Sequence, residues 1–104
     1  MGFTQAGKSS VAFPLRRVKS RIDGALITMM DGDPDGLLYE LRNARRELDI
    51  AERNSVFEAR AGGMSWARVG AALGVTKQAA QQKYGAENPV PADLPPTLDG
   101  TELK

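Results

Sequence analysis

Toward its C-terminal half the chain gathers side chains suited to gripping a polar surface. Thr76, Lys77, Gln78, Gln81, Gln82 and Lys83 lie close together, with Ser65 and Arg68 shortly before them. Amides donate and accept at once, while ammonium and guanidinium groups only donate, so this set can match base edges or phosphate oxygens. It holds no group that ordinarily titrates near neutrality. The rest of the chain adds little reactive chemistry, since no cysteine and no histidine occur among 104 residues. Disulfides, thiolate nucleophiles, the commonest general base and the commonest metal ligand are therefore excluded. Catalysis would have to rest on carboxylates, lysine or hydroxyls. The one carboxylate cluster, Asp31, Asp33 and Asp35, falls in a run of turn formers rather than in a cleft, so no enzyme site is expected.

Two motifs imitate ligand sites and fail on context. Residues 2–9 spell G-x-x-x-x-G-K-S around Gly2, Gly7, Lys8 and Ser9, but a phosphate loop works between a buried strand and a helix, and no strand pattern flanks these residues. Neither a nucleotide nor another cofactor is expected. Asp31, Asp33, Asp35 and Gly36 reproduce the opening of a calcium loop, yet Arg42 stands at the twelfth position, where a bidentate glutamate must close the cage. No metal is expected, and the same carboxylates suit the positive end of a following helix.

The polar set needs a scaffold, and the periodicity predicts an all-α one. A hydrophobic content of 41% in a chain of this length suits one small domain. Residues 1–13 lack periodicity and predict a mobile basic arm. From Pro14, suited to a first helical turn, Leu15, Val18, Ile22, Ala25, Leu26 and Met29 recur at threes and fours, a helix to about Met30. Asp33 then reads as an N-cap and Pro34 as the first residue of the next helix. On it Leu37, Leu41, Ala44, Leu48 and Ala51 form a seam spaced by fours and threes, and Gly62-Gly63 ends the helix after Ala61. About two dozen residues at ~1.5 Å each make it ~35 Å long, and its leucines need covering by the first helix folded back, by a second copy, or by both in a four-helix dimer.

Residues 14–61 thus read as a helical hairpin and dimerisation region, and 56–85 as a second unit sharing the end of the long helix. Residues 86–104, with Pro89, Pro91, Pro95, Pro96 and scattered acids, read as a disordered tail. No apolar run approaches the ~18 residues that span a bilayer, and the basic start lacks a secretory apolar core. A cytoplasmic protein without membrane contact is expected.

Charge sharpens the second unit. The net charge is +1, but between Glu58 and Glu87 the chain carries Arg60, Arg68, Lys77 and Lys83 with no acid, and residues 1–21 are likewise purely basic. In the stretch from Met64 to Tyr84, Ser65 can cap one short helix through Trp66, Val69 and Leu73. Gly74 fits a turn at positive φ, and Thr76 can cap a second helix. This stretch resembles the small helix-turn-helix DNA-binding proteins of actinobacteria and their phages, whose pattern is similar to SWxxIGxALGVSRQAAxxRY, over about a fifth of the chain; Lys77 stands where relatives often have arginine.

The resemblance implies a third helix in front, supplied by Val56 and Phe57, with Gly70 at the helix crossing. It also implies Leu73 and Val75 as core residues beside the turn, and Ala79, Ala80 and Tyr84 facing inward. Two small residues behind would leave Thr76, Lys77, Gln78, Gln81 and Gln82 to meet base edges in a major groove, with Ser65, Arg68 and Lys83 on phosphates. Trp66 reads as a core plug. The expected function is DNA binding by a homodimer, as a transcriptional regulator or a nucleoid-organising protein. The competing expectation is a protein-interaction module whose hairpin and three-helix unit bind a partner such as the transcription machinery.

Overall fold

A computed structural model describes residues 5–85, which form four helices and no strand: α1 Gln5–Met30, α2 Pro34–Ala61, α3 Trp66–Leu73 and α4 Lys77–Tyr84. Residues 1–4 of the expected arm and the expected tail from residue 86 lie outside the described residues. The fold is all-α, as the periodicity implies. No helix among the described residues is long and apolar enough to cross a membrane.

The turn between the long helices is built as its composition suggests. Gly32 takes φ +70°, and the Asp33 carboxylate accepts the Gly36 amide at 3.0 Å, capping α2 with Pro34 in its first turn. The aspartates that mimic a calcium loop thus sit at a helix N-terminus. At the other end Gly63 adopts φ +100°.

The first helix begins at Gln5, not at Pro14, so residues 5–13 are helix rather than arm. Proline inside a helix removes the amide that would bond the carbonyl four residues earlier, here that of Ser10. The fold answers this defect from outside the helix. Asn54, fully buried on α2, donates its side-chain amide to the Ser10 carbonyl at 2.8 Å. Pro14 is itself fully buried, and Gly7 passes so close to the Glu58 carboxylate that a Cβ there would overlap it. The extra turns of α1 are thus held by contacts distant in sequence, which local periodicity does not register.

The hairpin contact covers part of the expected seam. Val11, Pro14 and Ala25 of α1 meet a strip of α2 holding Ala44, Glu47, Ala51 and Asn54. Small side chains let the axes approach closely, and two ion pairs bridge them: Arg17 to Glu47 at 2.8 Å and Arg21 to Glu40 at 3.2 Å. Of the expected α2 seam, Ala44 and Ala51 are buried and Leu37 is half-buried, but Leu41 and Leu48 are exposed. Of the α1 stripe only Ala25 is buried, while Leu15, Ile22, Leu26 and Met29 face outward. On α2 Ile50 is buried beside Ala51, while Leu41, Leu48 and the large residues of the α1 stripe flank the contact.

Candidate nucleic-acid interface

The last turns of α2 carry a short helical pair. The Ser65 hydroxyl accepts the Arg68 amide at 3.1 Å and starts α3. Gly74 then turns the chain at φ +75°, Val75 donates to the Gly70 carbonyl at 2.9 Å, and the Thr76 hydroxyl accepts the Ala79 amide at 3.0 Å to start α4. Both caps and the left-handed turn fall where the sequence puts them. Gly70 is required by space: a Cβ there would stand 2.8 Å from the Val75 carbonyl oxygen and 2.9 Å from that of Thr76, both backbone atoms. α3 and the turn can approach this closely only across a glycine.

What holds α4 down is small and specific. Val56, Val69, Ala80 and Tyr84 form a buried cluster, with Met64 and Trp66 packed at its edge. Trp66 is thus a core-edge residue, with the Arg60 guanidinium stacked 4.6 Å above its ring. The Tyr84 hydroxyl donates to the Glu52 carboxylate of α2 in a short hydrogen bond. Burial first, and then this bond to an anion, push the phenol well above its usual range, so it stays a neutral donor.

Four inward assignments need correction. Ala79 is exposed, so a single alanine, Ala80 at 1% exposure, seats α4. Leu73 and Val75 are 37% and 46% exposed, and Phe57 is exposed too. The reason is the thinness of the unit, in which two eight-residue helices rest on the end of one long helix and no further layer among the described residues covers their flank. Leu73 instead borders an apolar groove of about 290 Å³ between α2 and α3, lined also by Val56, Ala59, Met64 and Val69.

The outer side of α4 carries what the sequence assigns to it. Thr76, Lys77, Gln78, Gln81 and Gln82 are all exposed, and the three glutamines line one shallow concavity. With about 100° between successive residues, Gln78 and Gln82 point most directly away from Ala80, and Ala79 beside them adds a methyl to the same surface. Ser65 and Arg68 are exposed at the start of α3. Lys83 is placed differently: its ammonium lies 3.8 Å from Asp49 and 3.9 Å from Glu52, over the Tyr84 ring. Arg60 is likewise occupied, donating to the Met64 carbonyl at 2.8 Å. Folding brings α2 carboxylates against a stretch that is acid-free in sequence, leaving Arg68 and Lys77 as its outward cations. The surface can therefore offer amide hydrogen bonds, a methyl contact and modest positive charge. Among the described residues no cluster of three potential metal ligands occurs. No family model, curated protein or solved structure matches the chain.

Proposed function

We propose that the chain binds double-stranded DNA by laying α4 in the major groove, as a homodimer and without enzymatic activity. It would act in the cytoplasm as a small helix-turn-helix protein of the bacterial type, either regulating transcription or organising DNA. The observation that carries this reading is the pairing of a rigidly seated back with a donor-rich front on one helix. Ala80 and Tyr84 fix α4 from behind, while Gln78, Gln81 and Gln82 stand clear of that side and Lys77 is exposed in the helix's first turn. Glutamine matches adenine in the major groove, lysine matches guanine, and the exposed Ala79 methyl suits the methyl of thymine. Arg68 and the Ser65 hydroxyl would reach phosphates and set the angle of approach.

One observation favours a second reading, in which the three-helix unit binds protein. The groove between α2 and α3 is apolar and open, and two of the four local cations are occupied within the fold. Selection of bound duplexes from a random-sequence pool separates the two. DNA reading expects an enriched motif containing adenine or guanine at the α4 positions; a protein-binding module expects no enrichment and no retarded band at moderate salt.

A further inference from the structure

The described fold leaves one long apolar face without a partner. On α1, Leu15, Ile22, Leu26 and Met29 are between 42% and 55% exposed, and on α2 Leu41 and Leu48 are 39% and 49% exposed. Helical geometry places these two rows together. At about 100° per residue each row lies roughly a quarter-turn from its helix's buried strip, in the same rotational sense. Because α1 and α2 run antiparallel, equal rotations bring both rows to one side of the hairpin. Arg17, Arg21 and Tyr39 fall on the other side, where Arg21 pairs with Glu40 and covers the Tyr39 ring at 5.8 Å. The apolar side continues along α2 through Ser55 and Ala59 into the groove against α3.

We infer that this face binds a second copy of the chain, closing a four-helix core from two hairpins. This deepens the proposed DNA reading, which rests on a homodimer, by assigning the dimer surface mainly to α1 rather than to an α2 seam. Two helices ~40 Å long, lying ~10 Å apart, present on the order of 800 Å² on one side, which is what each partner gives to a stable protein interface. A two-fold axis lays the face on itself, matching apolar surface to apolar surface with the ion pairs outside. Residues 86–104 are a poor alternative cover, since Val90, Leu94, Leu98 and Leu103 are their only large apolar residues and prolines and acids separate them.

The test is the mass of the full chain by sedimentation equilibrium at micromolar concentration, without DNA. The wild type is expected at twice its 11.2 kDa chain mass. Ile22→Lys and Leu48→Lys, at exposed positions that leave the hairpin contact intact, should halve that mass while the helical circular dichroism is kept. Tyr39→Ser, equally exposed on the opposite side, should leave it doubled. A monomeric wild type, a doubled mass that survives both lysine changes, or a mass halved by Tyr39→Ser would overturn the assignment. Since no DNA is present, failure here is distinguishable from failure of α4 to bind DNA, which a retardation assay on a dimeric Lys77→Ala variant reads separately.

Discussion

At Tyr84 one hydroxyl ties the outermost helix to the hairpin. Tyr84→Phe removes the hydrogen bond to the half-buried Glu52 carboxylate, which keeps Lys83 nearby, and chemical denaturation is expected to show a loss of about 1 kcal/mol. The pH dependence has a defined sign. The phenol's folded pKa is raised above the usual 10, so the folded protein holds a proton that the unfolded chain releases. That stabilisation is present below about pH 10 and is lost as pH rises further, so the wild type should lose stability at alkaline pH more steeply than Tyr84→Phe. Equal slopes would mean that folding does not raise the phenol's pKa. Gly70→Ala tests a different contact. Helix propensity alone would gain up to about 1 kcal/mol, but the added methyl meets backbone oxygens, and overpacking costs about 1–3 kcal/mol or more. A lowered melting midpoint is expected, and a raised one would show that the α3–turn approach is looser than its geometry.

Among the elements, the caps and turns were legible because each is decided within four residues: Asp33, Ser65, Gly74 and Thr76 all act where the sequence puts them. The start of α1 was not, because Pro14 breaks the local rule and the compensation comes from Asn54, forty positions away in the chain. That compensation can be tested by a double-mutant cycle. Asn54→Ala should cost about 1–3 kcal/mol by orphaning the Ser10 carbonyl. Pro14→Ala restores an amide able to bond that carbonyl, so the double variant should lose markedly less than the sum of the two single changes. Strict additivity would separate the two residues. Which side of α1 packs was illegible for a related reason: the periodicity marked large apolar residues, whereas the hairpin contact selects small ones and ion pairs.

For the whole molecule, charge is the property that sequence position misled. The acid-free stretch from Arg60 to Lys83 suggests a strongly basic surface, yet Asp49 and Glu52 lie against Lys83 in three dimensions. With few outward cations on each α4 unit, the salt dependence of DNA affinity should be shallow for a DNA-binding protein, a slope that titration between low and moderate salt reads directly. A steep slope would point to phosphate contacts from further basic residues, such as the exposed Arg16 of α1. Two-fold pairing of the hairpins would also set the protected half-sites about one helical turn, ~34 Å, or a multiple of it apart.

The central claim is that α4 presents its lysine and glutamines to duplex DNA while Ala80 and Tyr84 hold it in place. The most direct measurement is the affinity of wild type and of Lys77→Ala/Gln78→Ala for a selected duplex, at matched salt and with thermal melting as a control on folding. The melting midpoint should be essentially unchanged and the affinity should fall at least tenfold, as loss of base contacts worth about 1–3 kcal/mol each requires. Undiminished affinity in a folded double variant would contradict it.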